Sequence, residues 1–284
     1  MLIRDTRQVL RFVWNHPGNK GQRGQALLQA VSYQARARLL GRQSRVRIGD
    51  HSYIWASLHR PGSSKAVYGN PPDHPEMLVW QRRLGPGDLF VDVGANVGSY
   101  SILAGDLGAS VIALEPAPDT FALLAENVQL NGYPVTMLEA AAGATCGTAR
   151  FTSGQDAVNR LAADGPAEIE MVTLDTVIGD RVVAGMKIDV EGFEIEVLRG
   201  CEQALAEQRI RLMQLEWNQA SSYAVGTDRA PVAALLARHG YRLFRPDPAG
   251  NLAPVEAPGY GPDVFACPGH PDTSDNKCSS SIRE

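Results

Sequence analysis

The chain has 284 residues, 44% hydrophobic and 20% charged, which excludes a collagen-like, repeat-only or wholly disordered polypeptide. That length holds one α/β domain with an attachment, or two small domains. Residues 1–47 carry ten Lys/Arg against one acid, Asp5, while the rest holds 17 bases and 30 acids, for a net charge of −4.

A basic front on an acidic body points to an anionic surface as partner. The stretch LIRDTRQVLRFVW has helical periodicity, with Arg4, Arg7, Gln8 and Arg11 in one stripe and Ile3, Leu10, Val13 and Trp14 opposite. Residues 1–42 either touch an anionic membrane peripherally or pack their apolar side on the main domain. Packing is the favoured reading, because one short helix binds a bilayer weakly. No signal peptide is evident, since Arg7 and Arg11 interrupt the first apolar run. No stretch approaches the ~20 apolar residues that a transmembrane helix needs. Cys146, Cys201, Cys267 and Cys278 lack metal-ligand spacing. The expected location is therefore reducing and cytoplasmic, at most peripheral at the inner membrane surface, with Cys201 and Cys267 as core thiols.

A second helix is expected over Gln25–Leu40, then a hairpin from Arg45–Ile48 and Tyr53–Leu58 around Gly49-Asp50. Pro61–Pro75 reads as a loop. From Glu76 strands and helices alternate, as in a doubly wound α/β domain. Strands fall at Leu89–Val93, Val111–Glu115, Val135–Glu139, Met186–Val190 and Ile210–Glu216. Helices fall at Glu76–Leu84, Ser99–Leu107, Pro118–Leu130, Phe193–Ala206 and Pro231–His239. Thr148–Thr152 and Glu168–Leu174 look like extra strands. Tyr241–Arg245, Asn251–Val255 and Val264–Ala266 complete the sheet. The expected organisation is a front segment over residues 1–75, a main domain over 76–267 and a disordered tail over 268–284.

The first strand of the main domain runs into Asp92-Val93-Gly94-Ala95-Asn96-Val97-Gly98 and then a helix. Glycines permit the tight turn and close ligand approach, and asparagine tolerates the left-handed backbone. A dinucleotide prefers G-x-G-x-x-G with its pyrophosphate on the helix start. Here the spacing is G-x-x-x-G with an acid before it, which suits the cationic end of S-adenosylmethionine. Glu115, at the tip of the second strand, can accept both ribose hydroxyls, a feature shared with NAD enzymes.

Lys187-Ile188-Asp189-Val190-Glu191-Gly192 ends the fourth strand of the main domain. If the strand persists, Lys187, Asp189 and Glu191 share one face beside the first strand's end. Charged groups there need partners or a task. The bland alternative is a Lys187–Asp189 ion pair with Glu191 capping the next helix, and both can hold together.

The combination Phe90–Gly98, Glu115-Pro116, Thr173-Leu174-Asp175 and Lys187–Glu194 resembles the FkbM-type methyltransferases over about residues 76–220. Trp14-Asn15-His16-Pro17 resembles, less specifically, front ends of some bacterial members. The resemblance implies a class I methyltransferase fold, with a Rossmann-like, mostly parallel seven-stranded sheet. It also implies S-adenosylmethionine-dependent O-methylation, usually of a sugar hydroxyl in a glycan or glycolipid, or of a natural-product hydroxyl. By position, Asp92, Gly94, Ala95, Asn96 and Gly98 would hold the methionine end and Glu115 the ribose. The adenine would lie near Glu139–Gly143, around Ala141.

An alcohol is a poor nucleophile and needs a proton acceptor or a polarising group. Asp189 is the first candidate base, Glu191 and Glu216 are candidate second carboxylates, and Lys187 would stabilise alkoxide charge or orient Asp189. Asp189, Glu191 and Glu216 could instead hold Mg²⁺; a metal-free reaction is favoured. His51, His59 and His74 could reach the cleft, though a surface role is the simpler reading for each. Asn159 and Arg160 are candidate acceptor contacts. Three alternatives stay open: methylation of a small metabolite or peptide, a catalytically silent cofactor-binding subunit, and an RNA methyltransferase. The acidic body disfavours a nucleic-acid partner.

Overall fold

The computed structural model describes residues 6–41, 43–57, 61–151, 167–219 and 228–269. The first helix, α1 (Thr6–Asn15), passes through a 3-10 turn into α2 (Arg23–Leu40). The hairpin of β1 (Ser44–Ile48) and β2 (Ser52–Ala56) is antiparallel. Pro61–Pro75, expected as a loop, contains α3 (Pro61–Tyr68). Its composition is poor for a helix, but Ala66, Val67 and Tyr68 are buried, and packing overrides propensity.

The main alternation is α4 (His74–Arg83), β3 (Leu89–Val93), α5 (Ser99–Asp106), β4 (Ser110–Leu114), α6 (Pro118–Asn131) and β5 (Val135–Leu138). Then come β6 (Ala140–Ala142), β7 (Gly147–Phe151), β8 (Ala167–Val172), α7 (Leu174–Ile178), β9 (Gly185–Ile188), α8 (Glu194–Arg199) and α9 (Glu202–Ala206). The chain finishes with β10 (Met213–Leu215), α10 (Ala230–Arg238), β11 (Tyr241–Pro246), β12 (Leu252–Pro254) and β13 (Val264–Pro268).

The large sheet has eight strands in the order β12-β11-β13-β10-β9-β3-β4-β5. The family resemblance implies seven; the eighth is the three-residue edge strand β12, which falls within the strand expected over Asn251–Val255. Strands β10, β9, β3, β4 and β5 are parallel, and β13 runs antiparallel between β10 and β11. From β3 the order proceeds one way to β4 and β5 and the other way to β9 and β10. The switch point therefore lies between the ends of β3 and β9, where open α/β sheets bind ligands. The two extra strands expected after Glu139 form, with β6, a separate sheet of order β6-β8-β7.

Two expected elements are shorter in the structure. The helix over Phe193–Ala206 breaks into α8 and α9 at Gly200-Cys201. There the backbone meets the turn after β6 so closely that a Cβ on Gly200 would lie 1.9 Å from the Gly143 carbonyl oxygen. Strand β9 stops at Ile188; Asp189 still meets Lys187, but alternation does not carry Glu191 onto that face. The chain turns instead, and Glu191 takes the left-handed conformation at φ 52°.

The front segment is built into the body. Val9 and Val13 of α1 and Ala30 and Tyr33 of α2 belong to the same apolar core as Trp80 and Phe90. On α1 the buried side is Val9 and Val13, whereas Leu10 and Trp14, expected on the apolar side, are exposed. The hairpin is held by polar side chains from α5 and α6. Asn127 Oδ1 accepts from the Trp55 amide at 2.8 Å and Asn131 Oδ1 from the Tyr53 amide at 2.9 Å. Asp106 Oδ2 accepts from the Asp50 and His51 amides at 2.9 and 3.1 Å. A second core, with Ile188, Met213, Leu215 and Leu236, includes the free thiol Cys201. Cys267 is buried as expected but is disulfide-bonded and not a free thiol.

Candidate active site

The β3–α5 turn has the backbone its residues suggest, with φ 77° at Gly94, 52° at Asn96 and 89° at Gly98. A Cβ on Gly94 would stand 1.9 Å from the Asp189 carbonyl oxygen. The glycine is thus required by the chain crossing from β9, whatever else approaches it. The Gly94 and Ala95 amides both donate to the Leu114 carbonyl, at 3.0 and 2.9 Å. The Asn96 amide donates to Glu115 Oε2 and the Ala117 amide to Glu115 Oε1, each at 2.9 Å. Glu115 is fixed at the tip of β4 with one lone pair per oxygen still available. Burial raises its carboxyl to about 7, against the lowering effect of those two amides.

Asp92 lies deeper than a ligand-contacting position suggests. It is 1% exposed, and Ser101 Oγ donates to its Oδ2 at 2.7 Å. Its Oδ1 is buried without a hydrogen-bond partner. Burial raises its pKa, and Lys187 opposes the rise.

Lys187 Nζ bonds Asp189 Oδ2 at 2.8 Å and sits 4.8 Å from the centre of the Tyr100 ring. Burial works against its charge, but Asp189 and then Asp92 outweigh it and raise its pKa. Burial likewise opposes ionisation of Asp189, yet Lys187, Lys65 and Arg229 hold that carboxyl below its ordinary range. Carboxylate oxygens of Asp189, Glu191 and Glu216 lie within 4.8 Å of one another. The strand register fails to bring them together, but the turn after β9 and the end of β10 do so.

Residues that pattern reading missed surround this group. Lys65 of α3 bonds Asp73 Oδ1 at 3.2 Å. Gln214 links Trp80, Tyr100 and Asp263: its Oε1 accepts from Trp80 Nε1 at 2.6 Å, and its Nε2 donates to the Tyr100 hydroxyl at 3.0 Å and to Asp263 at 2.8 Å. Burial and the charge of Asp189 raise Asp263 to about 7. A lone Gln between Met213 and Leu215 was the one available signal; Lys65 and Asp263 had none.

Other expectations resolve structurally. In Thr173-Leu174-Asp175, Thr173 caps α7 by accepting from the Thr176 amide at 3.3 Å, and Leu174 is core. Asp175 caps α9, accepting from the Gln203 and Ala204 amides at 3.0 and 2.9 Å. Glu194 pairs with Arg229 in the interior. His51 is at the Asp106 end of α5, opposite the glycine turn. His74 packs its ring edge-on against His16 at 5.7 Å, and burial lowers its pKa. His59, Asn159, Arg160 and the tail beyond residue 269 lie outside the described residues. Among the described residues no helix is long and apolar enough to cross a membrane.

A doubly wound sheet with a glycine turn after β3 and an acid at the tip of β4 is the arrangement of the class I methyltransferase fold. Residues 92–243 match the methyltransferase FkbM domain, and the chain belongs to that family. It is 29% identical over 160 residues to the hexuronic acid methyltransferase AglP of Haloferax volcanii, a match spanning 52% of this chain and 61% of that protein. It is 31% identical over 200 residues to the 31-O-demethyl-FK506 methyltransferase FkbM of Streptomyces tacrolimicus, spanning 56% and 75%. Among solved structures it is similar to the T. thermophilus 16S rRNA N2 G1207 methyltransferase, with a TM-score of 0.45, 13% identity and coverage of 80% and 50%.

Proposed function

We propose that the chain methylates a hydroxyl of an acidic saccharide at the expense of S-adenosylmethionine. The observation that carries this reading is the Asp189 carbonyl seated against Gly94. It fixes an ionised carboxylate, held by Lys187, in the crevice that the cofactor turn opens. The acidic sugar is suggested by the hexuronic acid named for the Haloferax relative.

The residues fit the cofactor. Glu115 has two unused lone pairs for ribose hydroxyls. Ala117, Ala141 and Ile169 make a small apolar cluster beyond it, suited to a flat base. Asp92 lies buried beneath the turn and would reach a cationic ligand through its field and not by contact. Gly94, Ala95, Asn96 and Gly98 would line the methionine end. When bound, S-adenosylmethionine supplies a methyl group on a sulfonium.

Asp189 would accept a hydrogen bond from the acceptor hydroxyl and take its proton as the oxygen bonds the methyl carbon and that carbon's bond to sulfur breaks, the sulfur leaving as a neutral thioether. Lys187 orients Asp189 and keeps it ionised. Glu191 and Glu216 border the same space and would contact the acceptor. We read the reaction as metal-free, because Lys187 already neutralises Asp189. If Mg²⁺ is needed, Asp189, Glu191 and Glu216 are where it would bind.

The test is transfer of labelled methyl from S-adenosylmethionine to glucuronate-containing oligosaccharides, neutral oligosaccharides and macrolide alcohols, with and without a chelator. Labelling confined to the uronate substrates supports the reading. Labelling of the macrolide alcohols alone favours the second reading, a natural-product hydroxyl, for which the Streptomyces relative speaks.

A further inference from the structure

Helix α2 is apolar on two opposite sides. Ala26, Ala30, Tyr33 and Ala37 form its buried side. At 100° per residue, Leu28, Val31, Ala35 and Leu39 fall on one line about 180° from that side. This second line faces outward: Leu28 is 71% exposed, Val31 55% and Leu39 83%. An apolar side on a helix is ordinarily turned toward another apolar surface.

Charge says what kind of surface covers this line. From residue 6 to residue 49 the chain has no Asp or Glu. Arg36, held to Ser32 Oγ at 2.7 Å, flanks the line on one side, and exposed Arg38 flanks it on the other. Half-exposed Trp14 lies under Arg23 at 5.2 Å where α1 meets α2. We infer that the outward line of α2 docks on an anionic membrane surface, with Leu28, Val31 and Leu39 entering the acyl boundary and Arg36 and Arg38 meeting acidic headgroups. An apolar stripe edged by arginines is the pattern of a helix lying in the membrane interface. A second copy of the chain fits poorly, since facing stripes would bring Arg36 and Arg38 against their own kind. A nucleic acid fits poorly because aliphatic Leu and Val offer no stacking platform.

The proposal differs from the simple picture of α1 as the membrane-binding helix. The apolar residues Val9 and Val13 of α1 are used inside the protein. α2 is packed against α1 and α3, which holds its outer residues in place before any lipid is met. α2 packs on α3, and α3 carries Lys65 beside Asp73 at the rim of the candidate active site. A docked α2 would thus hold that rim near the bilayer, where a lipid-linked acceptor would be presented. Vesicle binding itself does not depend on the proposed chemistry.

The experiment is co-sedimentation of the full chain with phosphatidylcholine vesicles, with and without phosphatidylglycerol, at low and high salt. Wild type should bind the anionic vesicles and be released by salt. L28S/V31S/L39S should lower the partition coefficient roughly tenfold or more, since each buried aliphatic side chain contributes separately. R36Q/R38Q should lower it and reduce the salt dependence. Unchanged melting temperature and S-adenosylhomocysteine affinity would show that both variants fold. Absent or charge-independent vesicle binding overturns the proposal, as does equal binding by the triple variant. A wild-type dimer that the triple variant makes monomeric overturns it in favour of self-association. Single-stranded RNA binding lost with the same substitutions, without vesicle binding, overturns it in favour of nucleic acid.

Discussion

Replacing Glu115 with glutamine tests the cofactor site through stability and binding together. In the free protein this carboxyl is raised from 4.5 to about 7, chiefly by burial. The folded state therefore binds a proton more tightly than the unfolded chain. Between about pH 4.5 and pH 7 the native state holds the extra proton, and stability falls as pH rises. Over the whole window the loss is about 3 kcal/mol. Above about pH 7 the carboxylate is buried and charged, restrained only by its two backbone donors. Asp263, also raised to about 7, adds a fall in the same direction.

Glu115→Gln removes one of these two contributions. Its amide nitrogen must face a backbone amide, leaving one donor unmatched at about 1–3 kcal/mol. The variant should therefore be near wild-type stability at pH 8 and less stable at pH 5. Urea unfolding across that range should show a shallower pH slope, and shallower still when Asp263→Asn is added to Glu115→Gln. Binding should move the opposite way. Glu115→Gln loses one ribose acceptor and leaves the other uncharged; the lost bond to a charged acceptor is about 1.5–3 kcal/mol, so S-adenosylhomocysteine affinity at pH 8 should fall at least about tenfold. Wild-type affinity should weaken about tenfold per unit below pH 7 as the carboxylate is protonated, and the variant's should be flat. Calorimetric titration at several pH values measures this. An affinity and pH slope unchanged by Glu115→Gln would refute both the placement of the ribose and the buried-carboxylate reasoning.

Other outcomes follow from the same geometry. Gly94→Ala should cost about 4 kcal/mol or more, measured by urea unfolding, because its Cβ meets the Asp189 carbonyl from a left-handed backbone. Asp189→Asn should slow methyl transfer roughly 10²–10⁴-fold while leaving S-adenosylhomocysteine binding intact, read by initial rates and calorimetry. Lys187→Met should destabilise by about 3–5 kcal/mol, since Asp92 and Asp189 lose their shared counter-charge. Dialysis against a chelator should leave the rate unchanged; restoration of a lost rate by Mg²⁺ would place an ion among Asp189, Glu191 and Glu216.

The parallel core of the fold was legible because buried strands and amphipathic helices leave local patterns. β3 was read to the residue, and β4, β5, α5 and α6 to within one. The failures occur where distant chain decides the local structure. α3 is helical because its last residues pack inward, and α8 and α9 separate because Gly200 abuts Gly143. Asp92, Glu115, Lys187 and Asp189 were legible as a set, since charged residues at strand ends are conspicuous among apolar neighbours. Asp263 and Lys65 were not, because neither sits in a patterned segment. Thr173-Leu174-Asp175 shows the converse: it is a recognisable string whose side chains cap helices and fill the core.

The two most conspicuous motifs are mechanically one. The turn of Gly94 and the Lys187-Ile188-Asp189 segment touch through the Asp189 carbonyl, in space that only glycine leaves empty. The same turn reaches Glu115 through the Asn96 amide. A shift of the turn would therefore move a ribose acceptor and a candidate base together. The Asp189 side chain is fixed from the other side by Lys187, which sits over Tyr100, and Tyr100 accepts from Gln214. Methyl transfer needs the acceptor oxygen aligned with a bond to the departing sulfur, and small misplacements are costly. On the proposed reading, the backbone contact between the glycine turn and the candidate base would supply that alignment without a flexible side chain between them. Gly94→Ala can accordingly be separated from Asp189→Asn: the first should disturb cofactor affinity and rate together, the second the rate alone.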